Sequence, residues 1–487
     1  MSTGIEREAR PALDPAACGR AVTARDPRFD GVFFVGITTT RIYCRPVCPA
    51  RVSYPERRRF FDSAAAAEGS GFRPCMRCRP ELAPGRALCD AVSRVARVAA
   101  MRIAAGALNG QGVADLAREL GVGERHLRRA MERELGVSPV ELAQTHRLLL
   151  AKCLLTDTAL PVTQVAFASG FQSLRRFNSV FRERYRMSPS TLRRRPRAAG
   201  EAPARGPHGD WVRLTLGYRP PLPWAPLLQM IVGDTPAGTG LVEGSRYART
   251  VALEGRRGVV FLEPSTDGPH VSVRLSAPLL PALMPLLARL RHLLDLEAEP
   301  ARIEGHLADC GLAGVVARRP GLRLPGAFEG FEVAARELLG EDALRRVTEA
   351  MGEELDTGVP GLDRLPLAAE RVAETTDDHL VALGVPRFRT GALIAVARAV
   401  AERALRLEPG TGASSAVRSL CDIPGVGART AARIVMRALH WPDAFPSTDP
   451  ALQRAAGVSG ARALLRQAER WRPWRGYAAI HLSARPL

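Results

Sequence analysis

Apolar residues recur along the chain with two different periods, and each period predicts a different kind of element. Between residues 113 and 195 they fall at i, i+4 and i+8, as Leu127, Met131 and Leu135 in one segment and Phe177, Phe181 and Tyr185 in another. That spacing is the buried stripe of an amphipathic helix. The two segments are copies: at an offset of 50, Leu127, Met131, Leu135, Ser138-Pro139 and Leu142 meet Phe177, Phe181, Tyr185, Ser188-Pro189 and Leu192. Each copy holds an apolar helix, a glycine turn (Gly121, Gly170) and a second helix, so two helix-turn-helix units are predicted. From about 210 to 277 the runs WVRLTLGY, YARTVALEG, GVVFLEP and HVSVRLS, separated by turn residues, predict a small antiparallel sheet. From about 279 helices return, in LLARLRHLLDL and ALIAVARAVAERALRL. Residues 196–209, PRAAGEAPARGPHG, have no apolar period and predict an extended hinge between two bodies.

Composition places this pattern in a folded, multidomain chain. The 487 residues exceed one ordinary core, and 46% hydrophobic with 24% charged residues exclude wholesale disorder. Charge adds a partner. The formal net charge is +19, of which the first 200 residues carry +16 and the other 287 only +3. A compact positive region of that size is the footprint of a polyanion, most simply nucleic acid. Within it the second helices of the two copies offer Arg125, Arg128, Arg129 and Arg133, then Arg175, Arg176, Arg182 and Arg184. Lys152 is the only lysine in the chain.

No run approaches the roughly 20 apolar residues of a membrane helix; Leu279 to Leu290 is broken by Pro281 and Pro285. The opening MSTGIEREARPALD has no apolar core of a signal peptide. The expectation is a cytoplasmic, nucleoid-associated protein with no membrane partner.

Four of the nine cysteines form two close pairs, Cys44-x3-Cys48 and Cys75-x2-Cys78, which suits one tetrahedral zinc better than a disulfide framework. Around them stand Thr39-Thr40-Arg41-Ile42-Tyr43-Cys44-Arg45-Pro46-Val47-Cys48-Pro49 and Gly71-Phe72-Arg73-Pro74-Cys75-Met76-Arg77-Cys78-Arg79-Pro80. Over about residues 17 to 82 this closely resembles the amino-terminal domain of Ada-type adaptive-response proteins. The resemblance implies that Cys44 irreversibly accepts a methyl group from a methylphosphotriester, and that Thr40, Arg45 and Arg51 lie close to the DNA backbone. Four thiolates on one divalent ion carry a net charge of about −2, which leaves an electron-rich sulfur. Methylation removes about one negative charge facing a polyanion, so DNA affinity is expected to rise.

The duplicated segment resembles AraC-type regulators, through Val-Ala-x-x-x-Gly-Phe-x-Ser-x-x-x-Phe-x-x-x-Phe at Val165 to Phe181 and Ser188-Pro189. Arg186 stands where that family often ends its helix on glycine. The resemblance implies promoter DNA as a partner, with Arg125, Arg128, Arg129, Arg175 and Arg176 as contact candidates, and RNA polymerase as a further one.

In the carboxy-terminal half, Leu420-Cys421-Asp422-Ile423-Pro424-Gly425-Val426-Gly427-Ala428-Arg429-Thr430-Ala431 reads as helix, hairpin, helix. The amides around Gly425, Gly427 and Thr430 suit a phosphate. Asp449, in Pro446-Ser447-Thr448-Asp449-Pro450, reads locally as a helix N-cap. With WRPWRGYAAIHL from Trp471, these features resemble AlkA-type alkylpurine glycosylases of the helix-hairpin-helix superfamily over about residues 210 to 487. That implies base excision by Asp449 on a flipped nucleotide, and a monovalent cation at the hairpin. Three features depart from the family: Leu338-Leu339-Gly340 runs straight into Glu341, which shortens the loop that enters the duplex, and Arg429 and Ser483 stand where pocket aromatics are usual. With no lysine after Lys152, a Schiff-base lyase using a hairpin lysine is excluded.

The expected fold class is multidomain α+β: a zinc methyl-acceptor domain (1–84), an all-α double helix-turn-helix domain (85–195), the linker (196–209), a small antiparallel β-sheet domain (210–284) and an all-α helix-hairpin-helix glycosylase domain (285–487). The expected function is an alkylation-damage response protein that accepts methyl groups on a zinc-bound cysteine, activates repair genes and excises alkylated purines from double-stranded DNA. The rival reading is a zinc-containing regulator whose last half binds DNA without catalysis.

Overall fold

A computed structural model describes residues 14–51, 53–85, 94–193, 205–206, 209–233 and 235–483. The chain divides into two compact units, one of Met1–Ala204 with Val212–Arg219 and Leu280–Ala288, the other of Arg205–Trp211, Pro220–Leu279 and Arg289–Leu487. Each is described by itself.

The first unit begins with helix Pro15–Ala24, whose amides Ala16 and Ala17 are capped by Asp14. A four-stranded sheet follows, in the order Arg58–Phe61, Phe34–Ile37, Ile42–Cys44, Arg73–Pro74. Gly36 is required in its centre: a Cβ there would lie 2.7 Å from the Phe61 ring and 2.8 Å from that of Phe72. The last two strands run parallel, with Ile42 opposite Arg73 and Tyr43 opposite Pro74, so Cys44 and Cys75 leave the sheet side by side.

The duplicated region folds as the offset implies. Helices Val113–Glu119 and Glu124–Leu135 form the first copy, Val162–Ala168 and Leu174–Tyr185 the second, and the long helix Pro139–Asp157 joins them. Gly121 (φ 67°) and Gly170 (φ 89°) make the turns. The same register holds at the ends of the second helices, where Gly136 (φ 69°) and Arg186 (φ 56°) both adopt the left-handed conformation. Arg186 therefore keeps a glycine's backbone geometry without being one, at a steric cost of roughly 1–2 kcal/mol.

In the second unit, strands Gly240–Glu243, Arg246–Leu253, Arg256–Pro264 and His270–Ser276 form an antiparallel meander. Glu254 (φ 50°) and Gly255 (φ 71°) close one hairpin with the two left-handed residues that a tight turn between twisted strands demands. Part of the expected hinge is ordered as well, since Arg205–Gly206 pairs antiparallel with Gly209–Asp210. The helices beyond residue 330 pack around a core that includes Leu393, Val396, Ala397, Ala431 and Ile434, with helix Arg387–Ala401 at its centre. Gly340 (φ 76°) is the single residue between helices Gly330–Leu339 and Glu341–Met351, so the connection after Leu339 is short as expected. No helix among the described residues is long and apolar enough to cross a membrane.

Candidate functional site

The residues singled out by the sequence fall into a cysteine centre, two arginine-bearing helices, and a hairpin with a carboxylate beyond it. In the first, the Sγ atoms of Cys44, Cys48, Cys75 and Cys78 all lie within 4.8 Å of one another. Four sulfurs around a zinc ion at about 2.3 Å would sit about 3.8 Å apart, a separation that lies within this limit. A tight turn and the parallel strand pair aim them: Cys48 N–H donates to the Arg45 carbonyl at 3.1 Å, and Cys75 N–H reaches across to that of Tyr43 at 2.9 Å. Backbone amides also point at sulfur, Arg45 N–H at Cys78 and Arg77 N–H at Cys75, each at 3.4 Å. Such donors stabilise thiolates rather than thiols. Mutual S–H···S bonding pushes the Cys44 thiol up and the Cys75 thiol down, and lowers Cys48 to about 7. Four thiols this close cannot all ionise unless a cation joins them, and the donor set fits zinc.

Of the residues expected near the DNA backbone, Thr40 and Arg51 are exposed. Arg45 is not. It is 7% exposed, its Nε donates to Asp30 Oδ1 at 2.8 Å, its Nη2 pairs with Asp30 Oδ2, and its Nη1 donates to the Cys78 carbonyl at 3.2 Å. The guanidinium is spent on clamping the two cysteine turns, which corrects the expectation that it reaches a phosphate. Arg41, three residues before Cys44 and exposed over the Phe72 ring at 5.5 Å, offers a further cation.

On the two reading helices Arg125, Arg129, Arg175 and Arg176 are exposed, while Arg128 is half-buried and paired with Glu124 at 2.6 Å. Arg175, Asn178, Ser179, Arg182, Glu183 and Arg186 line one open depression on the second helix.

The second centre lies in the helical core of the second unit. Helices Ala413–Cys421 and Ala428–Ala438 flank the hairpin, with Gly425 (φ 88°) and Gly427 exposed and Thr430 half-buried. A Cβ on Gly425 would touch that of Ala392 at 3.0 Å, so close packing and backbone conformation both favour glycine. Asp449 is the N-cap of helix Pro450–Ala455 and 7% exposed: its Oδ1 accepts from Ala451 N–H at 2.8 Å. The local reading is correct, but it uses only one oxygen. The other, Oδ2, lies 3.5 Å from Arg433 Nη1, and Glu337 fixes Arg433 through Nε at 2.9 and 3.0 Å. Trp471, Trp474 and Tyr477 are buried, with Tyr477 Oη donating to Asp295 at 2.7 Å, so these aromatics are core. Sequence reasoning passed over Phe388, which is 76% exposed between Arg387 and Arg389 with its carbonyl near Gly425.

A four-thiol centre, a pair of arginine-rich reading helices and a helix-hairpin-helix body with a carboxylate at the head of a following helix define a DNA-repair protein that also regulates transcription. Comparison with known proteins agrees module by module. Residues 17–81 match the metal-binding domain of Ada, 116–195 a helix-turn-helix domain, and 213–329 the AlkA N-terminal domain. The chain is 37% identical over 478 residues to the "Probable bifunctional transcriptional activator/DNA repair enzyme AlkA" of Mycobacterium tuberculosis, covering 96% of this chain and 95% of that one. It is 34% identical over 277 residues to the DNA-3-methyladenine glycosylase 2 of Escherichia coli, covering 55% of this chain and 95% of the relative. Over 64 residues it is 48% identical to the bifunctional transcriptional activator/DNA repair enzyme Ada of Escherichia coli, covering 13% and 18%. The chain belongs to the family of bifunctional AlkA transcriptional activators and DNA-repair enzymes.

Proposed function

We propose that Cys44 accepts a methyl group from DNA methylphosphotriesters and that Asp449 serves the excision of alkylated purines. The observation that carries the first assignment is the convergence of four sulfurs within 4.8 Å, with the exposed Thr40, Arg41 and Arg51 close in sequence to Cys44 and Cys48. Zinc, when bound, holds all four sulfurs deprotonated at neutral pH. The Cys44 thiolate attacks the methyl carbon; the S–C bond forms, the C–O bond breaks, and its electron pair stays on the phosphate as an ordinary diester anion. Arg45 and Asp30 keep the two cysteine turns in place, while Thr40 and Arg51 orient the backbone. The thioether carries one negative charge fewer than the thiolate, which strengthens the hold on DNA and records the damage. The reading helices then bind promoter DNA through Arg125, Arg128, Arg129, Arg175 and Arg176, for which Arg128 must leave Glu124, and RNA polymerase is the partner an activator requires.

In the second unit the hairpin at Gly425, Gly427 and Thr430 grips a phosphate, with a monovalent cation as an added ligand, and the target nucleotide swings out. The glycosidic bond breaks with its electron pair passing to the cationic base, and Asp449 stabilises the sugar's positive charge until water adds. This reading supports four working modules divided at 84, 195, 209 and 284, in the cytoplasm.

Two measurements test these assignments. Mass mapping after exposure to methylated duplex should place one methyl on Cys44. Methyl on Cys48, which is the more exposed residue of that pair, would overturn the choice of acceptor. Release of free alkylated bases should be present in the natural protein and lost in Asp449→Asn; undiminished release would remove Asp449 from the chemistry.

A further inference from the structure

Glu68 ends an alanine run, Ala64-Ala65-Ala66-Ala67, on helix Ala64–Gly69, and is 1% exposed. Its carboxylate reaches two different modules. Oε1 accepts from Tyr43 Oη at 3.0 Å, and Tyr43 precedes the acceptor Cys44 on the same strand. Oε2 accepts from Thr145 Oγ1 at 3.0 Å, on the helix that joins the two helix-turn-helix copies. The Glu68 carbonyl accepts from Arg184 Nη1 at 2.6 Å, on the second reading helix. Seven residues along the joining helix, and so on the same face, buried Lys152 pairs with buried Glu81. Arg79 adds a bond to Asp157 at 2.6 Å near the end of that helix.

A buried carboxylate is a poor way to gain adhesion, because desolvation costs several kcal/mol and well-packed apolar residues stabilise as well or better. What directional hydrogen bonds from three elements supply is a single register, since each bond is satisfied in only one arrangement. The Glu68 carboxylate ties the strand carrying Cys44 to the joining helix, and the carbonyl of the same residue ties both to the helix carrying Arg184, so these elements share one frame.

We propose that Glu68 is a positioning residue that fixes the acceptor strand and the second reading helix in one register, so that the helices' hold on duplex DNA delivers Cys44 to the phosphate backbone. The proposal rests on the assignment of Cys44 as acceptor. It makes methyl transfer depend on how much duplex the helices can grip: two bodies linked rigidly bind as one, and the second contact becomes intramolecular.

The test is the rate of methyl transfer from a single methylphosphotriester placed in a duplex of about four helical turns or in one shorter than a turn of about 10 base pairs. Full-length protein is compared with Glu68→Gln and with Thr145→Val, which removes one hydroxyl on the joining helix. The natural protein should react at least about tenfold faster on the long duplex. Both variants should lose that advantage and keep the short-duplex rate. Thr145→Val retaining the advantage, a natural protein without one, or an equal fall on both duplexes would overturn the register role. No methyl gained by the natural protein from either duplex would overturn the acceptor assignment itself.

Discussion

Arg433 Nη1 stands 3.5 Å from the one oxygen of Asp449 that the helix cap leaves over. The carboxylate is thereby oriented twice, by the Ala451 amide on one side and by a guanidinium that Glu337 holds on the other. Cap and chemistry can be separated by substitution. Asp449→Ser keeps an N-capping oxygen, so helix stability should stay within a few tenths of a kcal/mol, whereas alanine should cost about 1 kcal/mol. Base release should fall at least about a hundredfold in both. Thermal melts read beside single-turnover excision check this, and a serine variant with full activity would leave Asp449 a cap only.

Arg433→Leu should lower kcat for base release with little change in KM, because the guanidinium orients a group that acts in the transition state. Glu337→Gln should do the same more weakly. A rise in KM alone would place Arg433 in substrate binding instead.

The buried Asp30–Arg45 pair predicts a large effect from a residue remote from the sulfurs in sequence. Removing one partner strands the other charge, at about 3–5 kcal/mol. Asp30→Ala should therefore release metal to a chelator faster than the natural protein does and lower the melting temperature of the first unit. Arg51→Ala should leave both unchanged while weakening DNA binding, with a smaller salt dependence.

Stripping the metal should open the four-thiol module, since structural zinc sites supply folding free energy directly. Limited proteolysis should then cut between residues 34 and 78, and base release should persist. Loss of base release on chelation would contradict the separation of the two centres.

Acid and base should act oppositely on the two units. Burial raises the Glu68 carboxyl from 4.5 to about 7, against lowering contributions from Thr145, Arg184, Tyr43 and Lys152, while buried Tyr185 also faces it. The folded form holds that proton longer, so the first unit loses stability as pH rises from about 4.5 through 7. Burial and Arg319 lower His481 from 6.5 to about 4, and burial lowers His292 well below its usual range. The folded second unit binds those protons less readily, so it loses stability as pH falls from 6.5 toward 4. Calorimetry across this range should show two transitions shifting in opposite directions, and Glu68→Gln should remove the first slope.

Sequence reading succeeded where function rests on local spacing. Cys44, Cys48, Cys75 and Cys78 lie in two short turns, and the offset-50 copies repeat a helical period, so both were legible. Arg45 was misread because a base beside a metal ligand suits either a phosphate or a buried carboxylate, and Asp30 lies 15 residues away with nothing to mark it. Glu68 escaped for the same reason. Its partners lie 25, 77 and 116 residues distant, and an acid after four alanines reads as a solvated helix end. Trp471, Trp474 and Tyr477 share helical spacing with a pocket lining and a core alike, and only three-dimensional packing separates the two.

The burial of Lys152, the one lysine of the chain and 1% exposed, reaches beyond the ion pair with Glu81. The folded chain offers reagents no side-chain amine. Acylating probes, aldehydes and amine-directed crosslinkers should leave Lys152 unmodified, and a label on it marks a molecule whose first unit has come open. The chain thus carries its own chemical clock of unfolding, readable at a single atom.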